Sequence, residues 1–293
     1  MKLGIFSLPK NDMTFKQAVD YAKEKGLYSI EPFPAAEFKT PDVEAAKRLK
    51  EYADEKGIKI CCFSMGVTIV GDGKREQIEN LKKYAKVTAA LGSPYLHHTI
   101  LLSINHSYKA VPFKELLAEG VESIREVYDY AEQVGVKTVY EDQGYFFNGC
   151  ERFEALLNEV NRDIGVNADL GNIYFVGEKA EDFVGRFAAF IKHVHIKDYL
   201  FKSGDKLFPG EEWYKTRSGD YLRGTIAGHG IVDFGKVFKI LNSVNYNGCY
   251  CVEYDGIEDK ELAMGLSLKN ARRYYEMSGE KSGTKEVAYI KGE

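Results

Sequence analysis

Strand-like and helix-like segments alternate eight times along this chain, and no other feature constrains its fold as strongly. The strand-like segments are short and rich in Ile, Val, Tyr, Phe and Cys, as expected for strands covered on both faces. They are predicted at Leu3–Leu8, Tyr28–Phe33, Lys59–Met65, Tyr95–Leu101, Thr138–Glu141, Gly165–Asp169, Ile191–Lys197 and Cys249–Tyr254. Eight βα units in order predict an α/β protein, a single (β/α)8 TIM barrel. A doubly wound open sheet is the alternative, but no glycine-rich phosphate-binding turn follows the first strand.

The helical segments carry start and stop signals. Thr14 followed by Gln17 predicts a capping box at the first helix. Thr40-Pro41 predicts the start of the second helix, with proline at its first position, and Gly57 predicts its end. The other helices are predicted at Gly73–Gly92, Pro112–Gly135, Cys150–Asn161, Lys179–Ile191, Asp233–Val244 and Asp259–Met277.

We expect one domain, because no low-complexity linker or shift in composition divides the chain. The barrel is predicted to occupy residues 1–279, followed by a polar C-terminal tail at 280–293. The connection after the seventh strand, residues 198–230, is unusually long, has no helical period and contains the only Trp. Long connections of this kind are usually functional, so we expect a lid over the substrate, with a packed surface loop as the alternative.

Composition narrows the possible partners and the compartment. The net charge of −4 and the absence of a basic block argue against nucleic acid. No run of about 18 apolar residues is present, so no membrane span is expected, and the N-terminus does not read as a signal peptide. The five cysteines are odd in number and include adjacent Cys61 and Cys62. They are typical of buried, reduced thiols, and we expect a cytoplasmic protein.

Four consecutive predicted strands end in residues that can bind a metal. They are Glu141, Asp169, His195 and Glu253, at the ends of the fifth to eighth strands. The carboxyl ends of neighbouring parallel strands meet at one rim of a barrel, where barrel enzymes have their active sites. Three carboxylates and one imidazole suit a hard or borderline divalent cation. Without a cation the three negative charges would repel one another.

These runs resemble the xylose isomerase-like barrel superfamily over essentially the whole chain to about residue 279. The resemblance is carried by Tyr140-Glu141-Asp142, by NADLGN ending at Asn172, by HVHIKD ending at Asp198, by GHGIVDF beginning at Gly228, and by Val252-Glu253. The group includes sugar isomerases, ketose 3-epimerases, inosose dehydratases and endonuclease IV. The motifs are specific for the superfamily and separate its members poorly.

The resemblance implies roles for individual residues. Glu141, Asp169, His195 and Glu253 would hold one divalent ion, with Mn²⁺ expected first and Mg²⁺, Co²⁺ or Zn²⁺ as alternatives. Glu141 and Glu253 would also be the catalytic acid and base. Arg223 matches an arginine that contacts a substrate oxygen. Asn172 departs from the family, which usually has a histidine there, and an amide can donate a hydrogen bond but cannot carry a proton.

The expected function is a metal-dependent sugar isomerase or epimerase, which removes a proton beside a carbonyl and proceeds through a metal-bound enediolate. The alternative is a lyase on keto sugars or inososes, of the dehydratase or C-glycoside deglycosidase type, using the same metal site. A non-catalytic sugar-binding subunit is a third possibility. DNA cleavage is disfavoured, because endonuclease IV needs further histidines that this chain lacks. The expected partner is a small sugar or polyol, and the resemblance implies a homodimer or homotetramer.

Further residues are candidates for substrate binding at the same rim. His97, at the end of the fourth strand, is expected to hydrogen-bond the substrate, with a second-metal role as the alternative. Lys197 is expected to point inward and touch the sugar. Glu31 is predicted to bind a substrate hydroxyl or to form a salt bridge. Phe6 is expected to form an apolar wall against a sugar face, with core packing as the alternative.

Overall fold

The structure, a computed structural model, describes residues 1–102 and 111–279 of the chain. Nine strands form one parallel sheet in the order β3-β2-β1-β12-β8-β7-β6-β5-β4. They are β1 (Lys2–Ile5), β2 (Ser29–Ile30), β3 (Lys59–Ile60), β4 (Phe63–Met65), β5 (Tyr95–His98), β6 (Lys137–Glu141), β7 (Gly165–Asp169), β8 (Ile191–Ile196) and β12 (Cys249–Val252). The two edge strands, β3 and β4, are separated only by Cys61 and Cys62, so the sheet curls into a nearly closed barrel. The barrel has eight strand positions, here called staves, and β3 and β4 together form the third.

This arrangement confirms the predicted (β/α)8 barrel. Every predicted strand is present, but most are shorter than predicted at their carboxyl ends. The apolar pattern continues past the last ladder hydrogen bond, because the residues that follow the strands remain buried or half-buried at the rim of the barrel. The predicted tail at 280–293 lies outside the described residues.

Eight helices surround the barrel, one after each stave. They are α1 (Phe15–Glu24), α2 (Val43–Lys56), α3 (Lys74–Ala90), α4 (Phe113–Gln133), α5 (Cys150–Val160), α6 (Ala180–Phe187), α7 (Phe234–Ser243) and α8 (Lys260–Gly279). No helix in the described ranges is both long and apolar enough to cross a membrane. Sequential helices contact one another around the ring, as the eightfold alternation predicts.

Two of the predicted helix starts have different outcomes. The capping box at α1 is confirmed: the Gln17 amide donates to the Thr14 hydroxyl and the Thr14 amide donates to the Gln17 side chain. The predicted start of α2 at Thr40-Pro41 is wrong. Asp42 caps this helix by accepting from the Ala45 amide, because its carboxylate reaches an unpaired donor of the first turn.

The apolar interior has three parts, one of which lies against the long connection after β8 and consists of Tyr145, Phe175, Tyr199 and Leu222. The largest part lies between the strands and the helices. A small separate cluster of Cys61, Cys62, Val139 and Cys251 fills the inside of the barrel. All five cysteines are free thiols, and only Cys249 is not fully buried. Small thiols leave room inside the barrel for the polar side chains above them.

The long connection after β8 is where the sequence predicts it, but it is not irregular. It contains a three-stranded antiparallel sheet, here called the outer sheet, made of β9 (Asp198–Lys202), β10 (Tyr214–Lys215) and β11 (Tyr221–Thr225). These strands escape a search for helical period because their side chains alternate with a period of two. Asp198 supports the connection, because its carboxylate accepts from the amides of Gly228, Gly230 and Val232.

A backbone bridge joins the outer sheet to the barrel. Gly224 of β11 pairs with Gly256, in the segment that follows β12. A Cβ atom at Gly224 would lie only 1.6 Å from the carbonyl oxygen of Asp255, so the two backbones can approach this closely only because residue 224 is glycine. The outer sheet is therefore fixed to the last barrel strand at this point.

Candidate active site and metal centre

Four strand ends meet at the carboxyl rim of the barrel. In the strand register Asp169 lies beside His195, and Glu141 lies beside Asn167, two residues before Asp169. Ligand atoms of Glu141, Asp169 and His195 all lie within 4.8 Å of one another, and all three residues are buried. Glu253 follows β12 directly and reaches the same place. The structure therefore brings together the four residues that the sequence analysis selects.

The Nδ1 atom of His195 is the centre of this group. It lies 3.1 Å from Oε2 of Glu253, 3.4 Å from Oε2 of Glu141 and 3.8 Å from Oδ2 of Asp169. Phe6 stacks on the imidazole, with ring centroids 4.9 Å apart and an angle of 12° between the planes. Burial lowers the pKa of His195, but Glu31 and the neighbouring carboxylates outweigh it and raise the pKa well above its ordinary value. In the metal-free protein a proton therefore partly balances the acidic charge.

Lys197 supplies a second positive charge. Its Nζ donates to Oε1 of Glu253 at 2.6 Å and lies 3.9 Å from Oδ2 of Asp169. Burial raises the pKa of Glu253, but Lys197 and His195 outweigh this effect and hold the pKa below its ordinary value. Glu253 is therefore an ionised carboxylate whose second oxygen faces His195.

The two carboxylate oxygens of Asp169 differ in their hydrogen bonds. Its Oδ1 accepts from the amides of Gly171 and Asn172, both at 2.8 Å. Its Oδ2 is buried and, within the described ranges, has no hydrogen-bond partner. Burial raises the pKa of Asp169 to about 7, and the charges of Glu253 and Glu141 add to this effect. A divalent cation would satisfy this oxygen, so the residues present fit the metal that the sequence analysis expects.

Asp142 is a buried acid that the sequence analysis does not select. Its Oδ1 accepts from the Asp169 amide at 3.0 Å, and its Oδ2 has no hydrogen-bond partner in the part of the chain described. Burial, together with the charges of Asp169 and Glu141, raises the pKa of Asp142 well above its ordinary value. The sequence offers one indication of this role, because Asp142 directly follows the candidate ligand Glu141. The hydrogen bond from the Asp169 amide shows that Asp142 orients the Asp169 backbone.

Glu31 lies beneath the rim with a fully buried side chain. Its carboxylate accepts from Nε2 of His193 at 2.6 Å, from Nε2 of His195 at 3.1 Å and from the hydroxyl of Ser64. Burial raises the pKa of Glu31, but His193 and His195 outweigh it and lower the pKa well below its ordinary value. This geometry is the salt-bridge alternative that the sequence analysis gives for Glu31.

The two histidines of β5 point in different directions. His97 turns into the barrel, where its Nδ1 lies 2.9 Å from Oγ of Ser64 and its Nε2 lies 3.6 Å from Oε2 of Glu141. His98 turns outward and pairs with the Tyr140 hydroxyl at 3.1 Å. Period-two alternation along the strand separates them, so only His97 faces the site.

Asn172 lies in the turn that follows β7, and Arg223 lies in β11 of the outer sheet. The Asn172 side chain donates to Oε1 of Gln143 at 3.1 Å. The Arg223 guanidinium lies 5.3 Å from the centre of the Trp213 ring in the outer sheet. Its Nε is buried and has no hydrogen-bond partner among the residues described, so it retains an unused donor.

A cavity of about 820 Å³ opens beside this rim. Its walls include the aromatic residues Phe6, Phe33 and Tyr254 and the lysines Lys10, Lys39 and Lys260, with the remainder from residues 7, 8, 11–14, 35 and 36. Phe6 belongs both to the cavity wall and to the stack on His195. The cavity is large enough for a sugar-sized ligand.

A second group of potential metal ligands lies deeper in the barrel. Glu31, Cys61, His193 and Cys251 each offer an atom within 4.8 Å of the others. The Sγ atoms of Cys61 and Cys251 are 3.4 Å apart. This group is missed at the level of sequence because the cysteines there are taken as buried apolar thiols and because His193 lies inside its strand.

Comparison with known proteins finds similarity over most of the chain. The sequence pattern of the xylose isomerase-like TIM barrel family matches residues 19–274. Inosose dehydratase of Glaesserella parasuis is 28% identical over 259 residues, which cover 79% of this chain and 81% of that protein. Inosose dehydratase of Clostridium perfringens is 28% identical over 167 residues, 54% of this chain, and the chain spans only about half of that relative's length (52%).

Solved structures agree on the fold. The IolI protein with a bound zinc atom superposes with a TM-score of 0.75 at 20% identity, covering 94% of this chain and 98% of that one. D-psicose 3-epimerase, solved in the presence of D-fructose, superposes with a TM-score of 0.71 at 15% identity, covering 95% and 98%. At these identities the similarity concerns the barrel itself.

Proposed function

The chain belongs to the xylose isomerase-like TIM barrel family, and on that premise we propose that it is a divalent-metal-dependent lyase that removes water from a cyclic polyhydroxy ketone, an inosose. The similarity to inosose dehydratases, extending over 79% of the chain, carries this proposal. It reverses the order of the sequence-based expectations, in which isomerisation or epimerisation comes first and the lyase second.

The proposed ligands of the metal are Glu141, Asp169, His195 and Glu253. The free oxygen of Asp169 and the convergence of carboxylate oxygens on Nδ1 of His195 support this assignment. When bound, the ion would polarise the substrate carbonyl and make the neighbouring C–H more acidic. Manganese is the first ion to test, followed by magnesium, cobalt and zinc.

Glu253 is the proposed base. Lys197 keeps it ionised, and its Oε2, which lies beside Nδ1 of His195, would accept a proton from the carbon beside the carbonyl. Glu141 and His97 lie together across the site and would face the hydroxyl that leaves from the next carbon. The hydroxyl would leave as water with the proton that Glu253 removes, passed on by Glu141, while the C–H electron pair becomes the new double bond and the C–O pair stays with the leaving oxygen.

The remaining contacts would position the ring. Phe6 offers an apolar face, and Arg223 offers an unused guanidinium donor. The amide of Asn172 and the ammonium of Lys197 are further candidate donors to substrate oxygens. The outer sheet would act as the lid, because it carries Arg223 and is fixed to the segment after Glu253.

The test is product analysis by NMR in D₂O with purified protein, a divalent ion and a panel of inososes, ketoses and aldoses. Loss of water from an inosose in wild type, and its absence in Glu253→Gln, is the expected result. The exposed residue Glu261 provides the matched control, Glu261→Gln, which should retain wild-type turnover. A clean isomer with no dehydration would refute the lyase assignment.

Epimerisation or isomerisation is the second candidate. It is favoured by the placement of two glutamates against the same nitrogen of His195, since a second carboxylate can return a proton to the substrate carbon. The same NMR experiment would show it as an isomeric sugar that carries solvent deuterium at the reacting carbon.

We also propose a cytoplasmic homo-oligomer. The five free thiols are compatible with a reducing compartment. Size-exclusion chromatography with light scattering would test the predicted dimer or tetramer.

A further inference from the structure

We propose that Glu31 is a positioning residue that fixes the tautomers of two site histidines at once, His195 directly and His97 through Ser64. As a result, His97 presents the lone pair of Nε2 to a hydroxyl group of the substrate. The tautomer assignment stands on hydrogen-bond geometry alone, whereas the hydroxyl contact rests on the proposed function.

The hydrogen bonds that a carboxylate can form determine which atoms around Glu31 are donors. An ionised carboxylate only accepts hydrogen bonds, so each group that contacts it must supply the hydrogen. Three groups contact Glu31: His193 through Nε2, His195 through Nε2, and Ser64 through its hydroxyl. All of these side chains are buried, so water does not replace any of these donors.

His195 is fixed by this contact. Because its Nε2 carries the hydrogen donated to Glu31, the neutral ring has its lone pair on Nδ1. Nδ1 is the atom that faces Glu141, Asp169 and Glu253. Glu31 therefore prepares the nitrogen that the proposed metal needs, in the manner of an acceptor placed behind a ligand histidine.

The tautomer of His97 is fixed through Ser64, one hydrogen bond further from Glu31. The Ser64 hydroxyl has a single hydrogen, which it gives to Glu31, so toward His97 it can only accept. Nδ1 of His97 must then carry the ring hydrogen, and Nε2 holds the lone pair. This Nε2 is buried and has no hydrogen-bond partner among the described residues.

The surroundings of this nitrogen indicate what it binds. Nε2 of His97 lies 3.6 Å from Oε2 of Glu141, and neither of these two acceptors supplies a hydrogen to the other. A donor placed next to them satisfies this arrangement, and a substrate hydroxyl is such a donor. His97 would thus select a polyol that has a hydroxyl beside the reacting carbon.

A different role for Glu31 would overturn this proposal. Together with Cys61, His193 and Cys251 it could instead ligate a second, thiol-bound ion, since these residues are near one another and of suitable type. In that case Glu31 and His193 would both face the metal rather than each other.

The experiment is long-range ¹H–¹⁵N NMR of the metal-loaded protein labelled with ¹⁵N-histidine, which distinguishes protonated from unprotonated ring nitrogens. In wild type we expect Nε2–H for His195 and Nδ1–H for His97. Ser64→Ala should leave His195 unchanged and give His97 a mixture of both tautomers. Glu31→Gln should alter both histidines.

Ser123→Ala is the matched control. Ser123, like Ser64, is a buried serine, but its hydroxyl has no hydrogen-bond partner in the described part of the chain. It should change neither ring. An unaltered His97 in Ser64→Ala would overturn the relay, even if Glu31→Gln fails to fold. Counting ions per chain gives a second check: two ions in wild type, with one lost in both Glu31→Gln and Cys61→Ser, would make Glu31 a ligand and refute its positioning role.

These readouts need no turnover, so they do not depend on the lyase assignment. If that assignment holds, Ser64→Ala should also raise KM about fivefold to tenfold with a smaller effect on kcat, as expected for loss of one hydrogen bond to substrate. The tautomers can thus be as proposed even when inososes prove not to be the substrate.

Discussion

Nζ of Lys197 lies 2.6 Å from Oε1 of Glu253, and both residues come directly after barrel strands at the carboxyl rim. The pair keeps one site carboxylate ionised although it is buried. It also makes the two glutamates unequal, because no lysine of the described ranges, 1–102 and 111–279, contacts Glu141 in this way. Different charges beside the two carboxylates suit a reaction in which one accepts a proton and the other faces the leaving group.

Replacing Lys197 by methionine should move the pH dependence of activity. Loss of the ammonium raises the pKa of Glu253, so the acidic limb of kcat/KM against pH should shift to higher pH. Lys206→Met, at an exposed lysine of the connection that carries the outer sheet, is the control and should leave the profile unchanged. A parallel loss of activity at every pH in Lys197→Met would contradict this role.

Glu141→Gln and Glu253→Gln should each nearly abolish exchange of solvent deuterium into the substrate. A well-placed acid or base contributes roughly 10²–10⁴-fold, and a glutamine cannot carry the proton. The measurement is ¹H NMR of substrate in D₂O, with thermal unfolding to confirm that both variants are folded. Wild-type exchange in both variants would remove the two residues from the mechanism.

Metal binding should become stronger as pH rises towards neutrality. The pKa of Asp169 is raised to about 7, mainly by burial, against an unfolded value of about 3.9. The folded, metal-free protein therefore binds more protons than the unfolded chain between about pH 4 and 7, so this group makes its stability fall as pH rises. A cation needs the ionised form.

The increase in Tm on adding Mn²⁺ should accordingly be larger at pH 7.5 than at pH 5.5. Differential scanning calorimetry with and without the ion provides the measurement, and a chelator should reverse the effect. In Asp169→Asn the ion-dependent increase should be largely lost. An equal increase in wild type at both pH values would show that Asp169 does not titrate in this range.

Arg223→Lys should weaken substrate binding more than it slows the chemical step. The guanidinium stacks on Trp213 and retains a buried, unused Nε donor, and an ammonium reproduces neither the planar stack nor that donor. We expect KM to rise about tenfold with a smaller change in kcat, measured by initial rates. Arg48→Lys, on the exposed face of α2, is the control.

The parts of the molecule that the sequence predicts well are those set by short-range patterns. Strand β7 is predicted with its observed bounds, because the apolar run from Gly165 ends at a charged residue, Asp169. The capping box at Thr14 is equally local. The convergence of Glu141, Asp169 and His195 follows once the strands are known to be parallel neighbours.

Longer-range features could not be read in this way. The pairing of Glu31 with Ser64 depends on the break at Cys61 and Cys62, which divides the third stave and sets the direction of the residues after it. The outer sheet depends on antiparallel pairing between Tyr199 and Gly224, which are far apart in sequence. Neither pairing leaves a periodic pattern in the local sequence.

The backbone bridge at Gly224 and Gly256 has a consequence for how a ligand can arrive. Because the outer sheet is held to the segment after β12 by this bridge, we expect it to cover that side of the rim. The open approach runs past Phe6 and Phe33, between the loops that follow the first two strands. Differences in ligand choice among similar barrels should therefore be sought in those early loops, well before the residues that carry out the chemistry.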